Sequence, residues 1–265
     1  MPCCGCARRA GKRKRKRMEK DTVQLESIGG GFRIYTSPEH GFGTDALLLA
    51  DFAAPKKSEI ACDLGSGCGI IPLLWAKAGA AKHITAVEMQ QSAAALMQKS
   101  ISLNALEERI TGVQADLREI ESGGLALHSY SLVSMNPPYF AENSGYQSAQ
   151  QSRCIARHDI TCTTEDVVAC ADKLLRYGGR LCLCQKPERL ADIICTMRAF
   201  HIEPKKLRFV SGRAGKAPYL VLIEGKKGGG KALKVLPELA VQNANGSWSR
   251  EMLQIYKDYG DGTKK

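Results

Sequence analysis

Apolar positions along the chain alternate between two textures. Short six-residue segments rich in apolar and small residues are followed by longer stretches in which apolar residues recur every three or four positions. The first texture is that of a strand buried on both faces, the second that of an amphipathic helix. Read in this way, Glu59 to Leu64, His83 to Glu88, Arg109 to Gln114, Tyr130 to Met135 and Arg180 to Gln185 are strands. Ile70 to Ala78, Ser92 to Asn104, Thr164 to Arg176 and Arg189 to Phe200 are helices. Leu207 to Ser211 and Tyr219 to Glu224 close the series as two strands with no helix-length segment between them, and so pair antiparallel. The pattern predicts a Rossmann-like α/β fold: a seven-stranded, mostly parallel sheet with helices on both faces and an antiparallel C-terminal hairpin. Upstream, Phe32 to Tyr35 alternates as a hairpin strand, and Ala46 to Phe52 is a helix with Thr44 and Asp45 at its N-cap. The polar segment Ala141 to Arg153 and the Gly/Lys-rich segment Gly225 to Lys231 read as loops of the kind that handle ligands.

Charge changes this picture only at the N-terminus. Of a net charge of +11, residues 1 to 17 carry +8 with no acid among them. Such a block has nothing to bury and is expected to be disordered, as a tether to RNA phosphates or as a solvated tail. Residues 1–21 are therefore set apart from a domain spanning 22–265. The tail lacks the apolar stretch of an export signal, and no run approaches the ~20 apolar residues of a membrane span. A reducing, cytoplasmic setting follows as the expectation, so the eleven cysteines are not expected to pair. Cys62, Cys154, Cys170, Cys182, Cys184 and Cys195 read as small core residues. Cys3, Cys4 and Cys6 lack a fourth ligand and the usual spacing, so no metal is expected.

The candidate chemistry gathers at the ends of the strands. Asp63-Leu64-Gly65-Ser66-Gly67-Cys68-Gly69 leaves the first strand and opens a helix. Gly65 and Gly67 let the backbone turn tightly against a ligand, either a dinucleotide or S-adenosylmethionine. An acid ahead of the glycines repels a pyrophosphate and suits an ammonium group, so Asp63 favours S-adenosylmethionine. Glu88, 25 residues further on at the end of the second strand, is placed for ribose hydroxyls. Asp116, after the third, is placed for the adenine ring.

The fourth strand runs into Asn136-Pro137-Pro138-Tyr139. Two prolines fix the backbone, remove two N–H donors and leave carbonyls facing outward. The Asn136 side chain and the Pro137 carbonyl then form a rigid pair of acceptors. Methylation of an aromatic or amide NH2 needs such a pair, because it turns the nitrogen lone pair out of conjugation. Tyr139 would stack on the planar acceptor and hold it in line.

These motifs, in this order, resemble those of the class I amino-methyltransferases. The nearest likeness is to the tRNA(Val) adenine N6-methyltransferases, and it includes Gly41 to Ala50, Ala156-Arg157-His158 and Lys186 to Arg189. The resemblance implies an S-adenosylmethionine-dependent enzyme that methylates the exocyclic amine of the anticodon-adjacent adenine of tRNA. It implies that Thr44 and Asp45 line the cofactor site and that Arg157 and His158 lie near the target base. His158 also reads simply as a loop residue bonded to a neighbour such as Asp159. Lys205, Lys206, Arg208, Lys226, Lys227 and Lys231 are candidates for phosphate contacts. The partner expected is tRNA, with a monomeric enzyme, no obligate protein partner and no membrane. Alternatives sharing the Asn-Pro-Pro-Tyr turn are the release-factor glutamine N5-methyltransferases and the rRNA guanine N2-methyltransferases. A non-catalytic RNA-binding scaffold is a third possibility.

Overall fold

The computed structural model describes residues 23–137 and 162–259. The N-terminal tail with Cys3, Cys4 and Cys6, the loop at 141–153, and Pro138, Tyr139, Cys154, Arg157 and His158 all lie outside the described residues.

A hairpin of β1 (Gln24–Ser27) and β2 (Arg33–Thr36) leads into α1 (Thr44–Ala53). There follow β3 (Ile60–Leu64), α2 (Ile70–Lys77), β4 (His83–Glu88), α3 (Gln91–Leu103), β5 (Ile110–Gln114) and β6 (Tyr130–Met135). After the undescribed segment come α4 (Thr164–Leu174), β7 (Leu175–Gln185), α5 (Leu190–Ala199), β8 (Ile202–Arg213) and β9 (Pro218–Lys227). The chain closes with β10 (Lys234–Val235), β11 (Leu239–Gln242) and α6 (Arg250–Tyr259).

The main sheet runs β8-β9-β7-β6-β3-β4-β5, with β9 antiparallel to both its neighbours and the other strands parallel. The expected mostly parallel sheet and reversed C-terminal strand are both present. The count differs. Two short strands, β10 and β11, pair parallel with β8 and bring the sheet to nine strands among the described residues. At two and four residues they are too short to register as apolar runs.

Alternation along the strands divides the core between the two faces. Ala61, Ile84, Leu132, Cys182 and Leu220 pack with α1, α2, α3 and α6, where Trp75 is fully buried and its indole N–H donates to the Ala50 carbonyl at 3.0 Å. Cys62, Val87, Val133, Leu181 and Val221 pack with α4 and α5 on the other face. Four of the cysteines read as core, Cys62, Cys170, Cys182 and Cys184, are buried, as is Cys68 in the glycine bend; Cys195 is exposed on α5. The cap of α1 also differs from expectation. Gly43 is the N-cap with no side-chain bond, and Thr44 and Asp45 are the first helical residues.

One end of the sheet carries an ion cluster around the buried Glu224. Arg180 meets Glu59 at 2.9 Å and Glu224 at 2.7 Å, and Lys206 meets Glu224 at 3.0 Å. Strand register puts this cluster, and the Gly225 to Lys231 segment, at the end of the sheet away from the glycine bend. Arg180 pairs with Lys226, whereas Gln185, at the C-terminal end of β7, pairs with Val221. Lys205, Lys206, Lys226, Lys227 and Lys231 therefore do not border the bend. Lys227 is tied to Asp172 at 2.9 Å, and Arg208, further along β8, is tied to Glu251 at 2.6 Å.

Candidate active site

The parallel strands β3, β4, β5 and β6 end at one lip of the sheet, the place where doubly wound sheets take their ligands. A cavity of about 280 Å³ opens there. Its lining includes Gly65 and Gly67 after β3, Glu88 at the end of β4, Asp116 after β5 and Asn136 after β6. Five residues singled out from the sequence, drawn from four successive sheet neighbours, thus face one space. Val87, Met89, Gln90, Ala115, Leu117, Met135 and Cys162 complete the wall and make it largely apolar, as suits a nucleobase. Sequence reasoning passed over Met89, Gln90 and Cys162. The first two follow Glu88 directly, and the apolar-polar step at a strand end was the available signal for them. Cys162 reaches the wall only through tertiary packing, and burial pushes its thiol up to about 11.

The bend itself is built on backbone that only glycine adopts without strain. Gly65, Gly67 and Gly69 take φ of 62°, 57° and 91°. At Gly69 a Cβ would also stand 2.9 Å from the Met97 Cγ of α3, so the third glycine allows the bend to close onto that helix. The Ser66 N–H donates to the Val87 carbonyl at 2.9 Å, lacing the bend to the end of β4.

Glu88 is buried yet borders the cavity. One carboxylate oxygen accepts the Gly67 N–H and the other the Gln90 N–H, each at 2.8 Å. Two backbone donors thereby set the plane of the carboxylate. Each carboxylate oxygen can accept more than one hydrogen bond, so capacity is left for a pair of hydroxyls such as those of a ribose.

Asp63 behaves differently from expectation. It is not among the cavity-lining residues but lies buried beneath the bend, 1% exposed. Its carboxylate accepts the Ser134 hydroxyl at 2.5 Å and the Ser66 hydroxyl at 2.8 Å. Burial pushes its pKa up to about 7; the two serine hydroxyls oppose that rise and Glu88 adds to it. It supports the bend from below, and a role toward an ammonium group would be exerted through the field and not by contact.

Asp116 caps the short turn Leu117–Glu119 by accepting the Arg118 N–H at 2.9 Å. The Arg118 guanidinium clasps the same carboxylate, with its Nη2 at 2.5 Å. That hydrogen-bonded pairing holds Asp116 below the usual carboxylate range.

Asn136 follows β6 beside the end of β7. Its Oδ1 accepts the thiol of Cys184 at 2.9 Å. Thr44 and Asp45 do not line the cavity; the Asp45 Oδ1 accepts the Tyr219 hydroxyl at 3.3 Å at the start of β9. Burial, with the Asp45 carboxylate next, raises the Tyr219 pKa and keeps the phenol protonated. Pro137 is described but is not part of the cavity wall. Pro138, Tyr139, Arg157 and His158 fall outside the described residues, so their expected places near the acceptor are not part of this geometry.

Residues 51–153 match the family model described as the TRM5/TYW2 methyltransferase domain. The chain is 27% identical over 214 residues to a protein of Aeromonas hydrophila named tRNA1(Val) (adenine(37)-N6)-methyltransferase, covering 80% of this chain and 87% of that one. It is 35% identical over 142 residues to a protein of the same name from Erwinia tasmaniensis, covering 53% and 56%. Among solved structures it resembles a protein of Agrobacterium tumefaciens described as a predicted O-methyltransferase, with a TM-score of 0.66 and 22% identity over 82% of this chain and 97% of that one. The fold is thus similar to that of a solved methyltransferase, and the sequence is similar to those of proteins named tRNA1(Val) (adenine(37)-N6)-methyltransferase.

Proposed function

We propose that this protein is an S-adenosylmethionine-dependent methyltransferase that modifies the N6 amine of the anticodon-adjacent adenine of tRNA1(Val). The observation that carries the reading is the meeting of Glu88 and Asn136 in one cavity, on either side of the glycine bend. One is suited to a nucleoside and the other to an acceptor amine.

The cavity fits the nucleoside part of S-adenosylmethionine. Glu88 would take the ribose hydroxyls with the lone pairs that Gly67 and Gln90 leave open. Apolar Val87, Ala115, Leu117 and Met135 would flank the adenine, and Gly65 and Gly67 present backbone without a Cβ to the methionine part. When bound, S-adenosylmethionine supplies a sulfonium-activated methyl group and leaves as S-adenosylhomocysteine.

The remaining work falls to this chain. An exocyclic amine conjugated with its ring is a poor nucleophile. The second lone pair of the Asn136 Oδ1 would accept one amine hydrogen and the Pro137 carbonyl the other. Two such bonds favour a pyramidal nitrogen with its lone pair directed out of the ring. The nitrogen proton becomes acidic only as the new N–C bond forms, so no strong base has to act beforehand. Tyr139 is assigned the stacking face for the adenine, with Arg157 and His158 near the base; Thr44 and Asp45 are assigned to the cofactor side, and Asp63 is assigned to favour the cationic cofactor from beneath the bend.

The names of the sequence relatives favour adenine in tRNA over a glutamine amide or a guanine N2. Glu88 and Asn136 facing one cavity favour an enzyme over an inert scaffold. The catalytic unit is assigned to residues 22–265, with 1–21 as a basic appendage, in a cytoplasmic monomer. Among the described residues no helix is long and apolar enough to cross a membrane.

The test is transfer of labelled methyl from S-adenosylmethionine to a tRNA1(Val) transcript, followed by nucleoside analysis. Label in N6-methyladenosine, lost when the adenine at position 37 is replaced by guanine, supports the reading. Label confined to guanosine, or found only when a release factor replaces the tRNA as acceptor, refutes it.

A further inference from the structure

Parallel register brings the ends of β6 and β7 side by side, with Met135 opposite Leu183. One residue further on, Asn136 stands next to Cys184. Cys184 is fully buried, packed with the α1 and α2 face of the sheet, and its Sγ lies 2.9 Å from the Asn136 Oδ1 as donor to it.

The two ends of a carboxamide have nearly the same shape and opposite hydrogen-bonding sense: the oxygen only accepts and the NH2 donates. An asparagine that is to polarise an amine is useful in one orientation only. Turned over, it would present two donors to a substrate that itself donates. A neighbouring S–H can donate to the amide oxygen on its own side, and a carboxamide oxygen can accept more than one hydrogen bond. In the observed arrangement the thiol at 184 donates to the carboxamide oxygen, which an aliphatic side chain of similar size cannot do.

We propose that Cys184 is a positioning residue for methyl transfer, whose thiol fixes the Asn136 carboxamide with its oxygen available to the acceptor amine. The inference rests on the role given to Asn136 above. It assigns a function to a buried cysteine that the sequence marks only as a small core residue.

The test compares Cys184→Ala with Cys184→Ser in the full chain, by kinetics and by the side-chain amide signals of Asn136. Those signals are identified by their disappearance in Asn136→Ala. Cys184→Ala should lower kcat about fivefold to tenfold, the rate equivalent of one hydrogen bond. The KM for tRNA and the affinity for S-adenosylmethionine should stay within about twofold. Cys184→Ser, which keeps a donor, should recover most of the loss. In the 1H–15N spectrum the Asn136 amide pair should shift or broaden in Cys184→Ala and stay near its wild-type position in Cys184→Ser.

Unchanged kcat in Cys184→Ala overturns the proposal. So does a loss that serine does not recover and that follows a fall in Tm, because that marks packing alone. Should the wild-type chain leave tRNA unmethylated, the function proposed above fails, whereas the amide signals still decide this inference. An Asn136 pair unmoved in Cys184→Ala contradicts it whatever the acceptor.

Discussion

The carboxylate of Glu88 accepts the backbone N–H of Gly67 at 2.8 Å across the 21 residues that separate them. That bond ties the end of β4 to the glycine bend after β3, and the bond from Gln90 to the second oxygen ties it to the start of α3. The carboxylate is held before any ligand arrives, so little ordering is left for binding to impose.

Glu88→Ala should therefore lose both the ribose acceptor and the bond that steadies the bend. Removing hydrogen bonds to a charged group costs ~1.5–3 kcal/mol, or about tenfold to a hundredfold in affinity. Titration calorimetry with S-adenosylmethionine should show a dissociation constant raised by at least that lower factor. An unchanged constant would remove Glu88 from the cofactor site.

Asp63 gives the fold a pH dependence whose sign follows from its raised pKa of about 7 against an ordinary 3.8. The folded state holds the proton more tightly than the unfolded one. The stability associated with the protonated form is complete below about 3.8 and is lost as pH rises through about 7. Asp63→Asn removes the titration. Thermal melts from pH 5 to pH 8 should slope downward more steeply for the native chain than for the variant; parallel profiles would assign the slope to other groups.

The far end of the sheet offers a control. Arg180 stands between Glu59 and Glu224, and Glu224 is 5% exposed at its side chain. Arg180→Ala leaves Glu224 with Lys206 but without its guanidinium partner. Breaking a buried pair in this way costs ~3 kcal/mol. Denaturant unfolding should register that loss while kcat per folded molecule is kept. A selective fall in kcat would mean that the cluster couples to the lip.

Much of this architecture was legible because the parallel strands are largely buried and so appear as short segments rich in apolar residues, such as Ile84 to Val87 in β4. Their ends were legible for the same reason: Glu88, Asp116 and Asn136 are polar residues at or just beyond the point where each segment leaves the core. What escaped depends on contacts distant in sequence. That Asp63 is sealed below the bend is decided by Ser134, which reaches it from the neighbouring strand. Asp116 escaped for a local reason instead: a short turn brings Arg118, two residues on, back to its carboxylate. Cys184 looks like core filler until the β6–β7 register sets it beside Asn136. The helix Arg250–Tyr259 carries Met252, Ile255 and Tyr256 at helical spacing against α1 and β11, yet it falls outside the strand–helix alternation that organised the reading.

Methyl transfer at the lip of the sheet depends, in this account, on the Asn136 oxygen and separates from cofactor binding. Asn136→Ala measured side by side for labelled-methyl transfer to tRNA1(Val) and for S-adenosylmethionine affinity tests that separation directly. The account predicts transfer reduced at least ~100-fold, the scale of losing a preorganised group that acts in the transition state, with affinity changed by less than about threefold. Transfer within a few-fold of the native chain would contradict it.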